Sequence, residues 1–317
     1  MNKNRKLRMG NLQFFAASSV ETLTNPRDSL PNTYTNVTAR EKDFVTRFSN
    51  NWKALQEILG IMRPVKKEAG TKLVSYTASV TLEDGDVDPG CVIPYSKATV
   101  TEAAKADLKL EKYAKAVPVE DVDKYGADVA VSKTDDAFLN ELQGTVMDRF
   151  YTRLTDATEA MTGTEGSFQM AVAIAMGKVI DKFKKMHKDV SSIVVFVNTM
   201  DVYKYLGAAE LSVQNAFGIQ YVKDFMGAQS MIISSEIEEG TVIAIPSENL
   251  VLYYVDPSQE FQRLGLNYTV EGETNLIGFH AQGNYGTAVG ESFALMGMEL
   301  WAEYADGVAI IEIDDSF

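Results

Sequence analysis

The chain has 317 residues, 45% of them apolar and 23% charged, ordinary proportions for a globular protein of one large or two ordinary domains with a substantial core. Forty-four acidic residues stand against 30 basic ones, a net charge of −14 with a pI near 4.7, which argues against a protein that grips nucleic acid. One cysteine, Cys91, excludes an intrachain disulfide and fits a reducing compartment, and no apolar run nears the roughly 20 residues of a transmembrane helix.

Residues 1 to about 40 carry no sustained periodicity. The basic start with Leu12-Gln13-Phe14-Phe15-Ala16-Ala17 imitates a signal peptide, but this apolar patch is short and interrupted by Gln13. The rest of the segment is rich in Asn, Thr, Ser and Pro, with turn-forming Asn25-Pro26 and Leu30-Pro31. Such an arm buries too little apolar surface to fold alone, and it is expected to order only against another surface. Lys3, Arg5, Lys6 and Arg8 give it a basic tip suited to nucleic acid or an acidic partner, although short basic tails often have no specific role.

From 41 to 60, Phe44, Val45, Phe48, Trp52, Leu55, Ile58 and Leu59 recur at helical spacing, and Gly60 with Pro64 ends the helix. Thr71 to Leu82 reads as a strand, and a second strand-like run covers about 97 to 119. Between them lies the acidic turn Glu83-Asp84-Gly85-Asp86-Val87-Asp88-Pro89-Gly90, so the whole reads as a long hairpin whose arms, at nine residues, span about 30 Å. Much of it is polar on both faces, leaving it little to pack against within one chain. From Ser132 the period becomes helical, with Phe138, Leu139, Leu142, Val146, Phe150, Leu154, Ala157 and Met161 forming one stripe up to Gly163, a helix of roughly 28 residues and about 42 Å. Gly163 to Ser167 reads as a flexible join, followed by a second amphipathic helix from Phe168 to Met186. Ile193 to Val197 is a continuous apolar run, expected as a strand buried on both faces, and Asn198 leads into a helix that Gly207 stops. Strand signals then dominate at 230–233, 240–246, 250–255, 299–304 and 307–313. The organisation is α+β, with helices in the middle and strands at both ends.

Chemistry-bearing patterns are scarce. Asp84, Asp86 and Asp88 imitate positions 1, 3 and 5 of a calcium loop, but position 6 is Pro89 where Gly is required and position 12 is Tyr95 where Glu is required. His187 belongs to a lysine-rich helix end, and His280 has no second ligand at metal spacing. No Gly-x-Ser-x-Gly elbow frames a nucleophile, nothing activates Cys91, and Gly283 to Gly290 matches no phosphate loop and reads as a loop crossing. No catalytic, metal or cofactor residue is assigned. An arm, a protruding hairpin and a long helix are devices for association, and identical copies in a symmetric array supply the partners most simply.

This order of parts resembles the major capsid proteins of tailed bacteriophages with the Hong Kong 97-type fold. The start Lys6-Leu7-Arg8-Met9-Gly10-Asn11-Leu12-Gln13-Phe14-Phe15-Ala16 is similar to that of capsid proteins from phages of Gram-positive hosts; the hairpin at about 67–98 matches the extended loop, 132–163 the spine helix, and Phe196 to Tyr203 the strand-to-helix step of the axial domain. The resemblance implies an arm over 1–40, a peripheral domain from 41–66 with 99–165 and about 250–300, an extended loop at 67–98, and an axial domain from 166–249 with about 301–317. It further implies a non-enzymatic shell subunit of the virion, assembled in the host cytoplasm into hexamers and pentamers, with portal and head-completion partners and DNA enclosed without sequence-specific binding. No membrane is implied. Only about 40 residues precede the first helix, so a scaffolding protein is expected to be separate. The expected contacts to neighbouring subunits are Glu83, Asp84, Asp86, Asp88 and Tyr95 at the hairpin tip, and Leu12, Phe14 and Phe15 in the arm. Lys97 is a conceivable isopeptide donor, but no acceptor Asn or catalytic Glu matches, and that chemistry is not carried over. Two alternatives stay open: an encapsulin-type shell around enzyme cargo, and a soluble enzyme of another type.

Overall fold

The computed structural model describes residues 39–314 apart from 62–63, 89, 127, 156, 158, 208–211, 217–218, 259–260 and 262–264. Its elements in chain order are α1 (Ala39–Leu59), β1 (Val65–Lys66), β2 (Lys72–Thr81), β3 (Lys97–Asp107), β4 (Glu111–Pro118), α2 (Val119–Tyr125), α3 (Lys133–Thr155), β5 (Met161–Glu165), α4 (Phe168–Lys185), β6 (Ile193–Asn198) and α5 (Thr199–Leu206). They continue with β7 (Gln214–Ala216), β8 (Ile219–Lys223), β9 (Ser230–Ser234), β10 (Thr241–Pro246), β11 (Leu250–Tyr254), β12 (Ile277–Asn284), β13 (Val289–Met296), β14 (Met298–Ala302) and β15 (Ala309–Ile313).

A seven-stranded mixed sheet, in the order β5-β15-β10-β6-β9-β8-β7, carries most of the core. Its central strand β6 is buried at every position because both faces are covered. Ile193, Val195 and Val197 join Phe168, Val172, Ala175, Val179 and Phe183 of α4 in one apolar cluster. Val194 and Phe196, on alternate positions, join the stripes of α1 and α3 in the other. Phe196 meets Phe150 and Tyr151 of α3 edge-on, with centroids 5.5 and 6.0 Å away. Every apolar position expected to form the inner face of α1 is buried. Ser167 caps α4 and Asn198 caps α5, each accepting from a backbone N–H.

A three-stranded antiparallel sheet, β12-β13-β4, lies beside α1, whose Phe44 stacks on Phe279 of β12 at 4.0 Å. Glu41 of α1 is almost wholly buried, yet it accepts hydrogen bonds from Thr269 Oγ1 at 2.8 Å and Ala281 N at 2.7 Å, so burial leaves its carboxylate satisfied. A small sheet β1-β11-β14 and the two-stranded ribbon β2-β3 complete the structure. Among the described residues no helix is long and apolar enough to cross a membrane.

Four local expectations need correction. The long helix ends at Thr155, not Gly163, and is preceded by a π-helical turn over Asp128–Ser132. Met161 to Glu165, read as helix end and flexible join, is strand β5, which gains a full parallel ladder with β15 that outweighs the continuing apolar stripe. The run at 97–119 is two strands in different sheets, broken where Leu108 turns inward. Gly283 to Gly290 is no crossing but the turn of the β12–β13 hairpin, whose strands the sequence reading did not foresee.

Candidate assembly surface

The ribbon β2–β3 departs from the rest of the molecule at one place. At its root, Leu73 and Leu108 bury themselves against Val255 and Trp301. Ser75 Oγ donates to Ala302 O at 2.6 Å, Tyr76 N donates to Glu303 O at 3.0 Å, and a register shift follows between Ser75 and Tyr76. Gly297 sits behind this root, where a Cβ would lie 2.8 Å from Lys109 O and 3.0 Å from Val255 Cγ2.

The root is tied to α3 through charge. Glu299 of β14 is nearly fully buried between Arg149 and Arg153; burial pushes its carboxyl up against the pull of both arginines. The Arg153 guanidinium also lies 5.0 Å from the centre of the Trp301 ring. Arg149 in turn pairs with Glu111 at 2.6 Å, and that carboxylate accepts from Tyr113 Oη at 2.6 Å. Burial together with Glu111 pushes the Tyr113 hydroxyl up to about 12. The hairpin thus springs from a cross-braced corner.

Beyond Tyr76 the described side chains of the ribbon, Val80 and Thr81 on β2 and Lys97 to Glu102 on β3, are exposed. The ten paired residues of β2 span about 33 Å in all, roughly half of it beyond Tyr76, and the segment 82–96 continues past the last pair, Thr81 with Lys97. Side chains that ordinarily seek cover are open there: Tyr95 is 95% exposed, Val92 88%, Leu82 78% and Ile93 74%. Val80 and Val100 are also largely exposed on the ribbon itself. A two-stranded ribbon is marginal in water, and these open apolar side chains make the distal segment a candidate contact surface.

Glu83, Asp84, Asp86 and Asp88 all lie exposed in this tip, as does Tyr95. Local hydrogen bonds organise turns here: Asp86 N donates to the Asp84 carboxylate Oδ1 at 3.0 Å, and Cys91 N donates to the backbone carbonyl of Asp88 at 3.0 Å around Gly90, whose φ of 92° suits glycine. Among the described residues no three His, Cys, Asp or Glu side chains converge as a metal site. The structure therefore brings the five expected tip residues together at one exposed end, and adds apolar neighbours that the acid-centred reading undervalued. Val92-Ile93-Pro94-Tyr95 was the available signal, an apolar run in a segment otherwise made of turn residues. Leu12, Phe14 and Phe15 lie outside the described residues. His187 is exposed at the end of α4, and His280 Nδ1 lies 3.2 Å from Glu41.

No family model and no curated protein sequence matches this chain. Solved structures do. The capsid asymmetric unit of cyanophage A-1(L) superposes with a TM-score of 0.52 at 12% identity, covering 93% of this chain and 99% of that one. A virus-like particle from Pyrococcus furiosus superposes with a TM-score of 0.50 at 12% identity, covering 87% of this chain and 100% of that one. The shared property is the fold, an α+β capsid fold of the Hong Kong 97 type, matched over nearly the whole length of each partner.

Proposed function

We propose that this chain is the major capsid protein of a tailed bacteriophage, a non-enzymatic subunit that assembles into an icosahedral shell around double-stranded DNA. The observation that carries this reading is the hairpin, which holds Leu82, Val92, Ile93 and Tyr95 in water on a fold shared with shell-forming chains. Docking on an adjacent copy supplies the cover that the monomer lacks, and symmetry repeats that contact around the shell. Hexamers and pentamers, a separate scaffolding protein and a portal are the partners the reading entails. In it, the seven-stranded sheet with α4 forms the axial part of the subunit, while α1, α3 and β12-β13-β4 form the peripheral part. A net charge of −14 lets enclosed DNA pack without adhering to the wall.

The test is electron microscopy of purified protein, alone and co-expressed with its neighbouring genes, beside a variant in which 82–96 is replaced by Asn-Gly. Because Thr81 pairs with Lys97, a two-residue turn closes the ribbon without disturbing its register. Closed shells from the parent and none from the variant are expected. Monomers alone under every condition, or an unchanged particle distribution from the variant, would refute the reading; shells filled with protein cargo in place of DNA would transfer it to an encapsulating role.

A further inference from the structure

A second uncovered apolar feature lies away from the hairpin. Strand β4 runs straight into α2, a seven-residue helix that buries none of its side chains. So short a helix has little stability of its own. A groove of about 360 Å³ is lined by Val117, Val119, Val122 and Val131 together with Ala288 of the β12–β13 turn and Val289 and Gly290 of β13, the strand that β4 pairs with. Arg40 also lines it, and Arg40 and Val131 are shared with an adjoining depression along the first turns of α1. Val119, Val129 and Tyr125 are each about half exposed, and Tyr285 at the rim is fully exposed. The outer side of α2 carries Glu120, Asp121 and Asp123, all open to solvent, while its only cation, Lys124, lies 4.8 Å over the Tyr125 ring.

We infer that this groove seats the chain's own segment Lys3 to Phe15, with Leu12, Phe14 and Phe15 on the valine walls and Lys3, Arg5, Lys6 and Arg8 against the acids of α2. Two observations favour this occupant. The first is charge: the first 20 residues hold those four cations and no acid, in a chain that is otherwise strongly acidic. The hairpin tip, the other apolar candidate, carries Glu83, Asp84, Asp86 and Asp88 and would set acids against acids. The second is connectivity. Helix α1 starts at Ala39, and its second residue, Arg40, lines the groove, so the preceding chain sets out from the groove's edge. Residues 16–38 separate Phe15 from α1, and a random-coil chain of that length would have an end-to-end distance of roughly 25–30 Å. That reach holds the arm at millimolar effective concentration over its own groove, about a thousandfold above free subunits at micromolar levels.

The groove assignment does not rest on the shell reading, because it concerns the unassembled subunit. The experiment uses the full-length chain with Phe15 replaced by photoreactive p-benzoylphenylalanine. It is irradiated as unassembled subunit, in a mixture of heavy- and light-isotope copies, and mapped by mass spectrometry. Cross-links within 117–131 or 283–290, each carrying a single isotope label, are expected. A companion E120K/D121K/D123K variant keeps its circular dichroism, since these side chains are exposed, and its cross-link yield falls roughly tenfold through loss of three surface charge contacts. Cross-links concentrated elsewhere, mixed-isotope cross-links, absence of cross-links above background, or a yield indifferent to the charge reversal would overturn it. Failure of shell formation with intact groove cross-links would instead count against the capsid reading alone.

Discussion

Leu108 and Ile93 are aliphatic residues at opposite ends of the same hairpin, and their truncation separates folding from association. Leu108 is fully buried with Leu73, Val255 and Trp301. Leu-to-Ala changes in cores cost about 2–5 kcal/mol, and a four-residue satellite cluster that can partly collapse belongs in the lower half, at about 3 kcal/mol. In a chain of this size that lowers the melting temperature of the unassembled subunit by roughly 4–5 °C. Ile93 is 74% exposed, so Ile93→Ala removes almost nothing from the isolated subunit, within about 0.5 kcal/mol. Once covered by a neighbour, that exposed area is worth about 1–2 kcal/mol over alanine. With one such contact per subunit, the concentration at which shells form rises roughly 5- to 30-fold. Thermal melts of dilute subunit and light-scattering titrations of assembly measure the two quantities. An equal loss of melting temperature from both substitutions would place the tip inside its own subunit. An unchanged assembly threshold for Ile93→Ala would remove the tip from the contact, and either result refutes the reasoning.

Two further perturbations test the frame that holds these surfaces. Burial pushes the Asp135 carboxyl up, but Arg40 at 2.6 and 2.8 Å and Lys115 at 2.6 Å outweigh it and hold it below its ordinary value. A depressed folded-state value means stability that is full above the unfolded value near 3.9 and lost as pH falls through the folded one. Asp135→Asn should therefore flatten the acid limb of stability in urea titrations between about pH 2 and 7. It should also cost about 2–4 kcal/mol at neutral pH, moderated because Arg40 keeps a third of its side chain in water; an unchanged acid limb would contradict the assignment. Gly297→Ala drives a Cβ toward the immovable Lys109 carbonyl and should cost about 1–3 kcal/mol, whereas Gly144→Ala, mid-helix in α3 with open space around it, should gain up to about 1 kcal/mol; chemical denaturation giving the same sign for both would refute the packing at the root.

What the sequence disclosed and what it hid follow from the range of the forces involved. The stripe of α1 and the unbroken apolar run of β6 are local patterns with one economical burial, and both stand where periodicity places them. The end of α3 was illegible because Ala157 and Met161 continue its period. What converts Met161 to strand is pairing with Ala309, far along the chain. Strands β12 and β13 were hidden by Gly278, Gly283 and Gly290, which lower strand propensity. Their reason lies in packing: a Cβ on Gly278 would sit 2.4 Å from the Phe261 ring. Glu41 looked like any charged helix residue, and only the fold brings Thr269 and Ala281 to its carboxylate. The tip was legible as exposed and acidic, but its apolar side chains look like ordinary core residues until the fold leaves them outside.

The chemistry of that tip also accounts for how such a ribbon survives before it finds a partner. Exposed ribbon edges recruit other chains indiscriminately unless charge or turns block them. Here the most exposed apolar residues, Leu82, Val92, Ile93 and Tyr95, lie beyond the last strand pair, and the four acids share that end with them. Two isolated tips meeting head-on would bring eight carboxylates together, so self-pairing is opposed while docking on a surface without that charge is not. The bulge after Ser75 interrupts the ladder where the ribbon leaves its root, limiting the length of regular edge presented to strangers. On the proposed reading, selectivity of the contact would reside in the acids and its strength in Leu82, Val92, Ile93 and Tyr95. Neutralising Glu83, Asp84, Asp86 and Asp88 together should on this argument leave the strength of the proper contact in place while admitting the improper one, seen as irregular aggregates in place of closed particles.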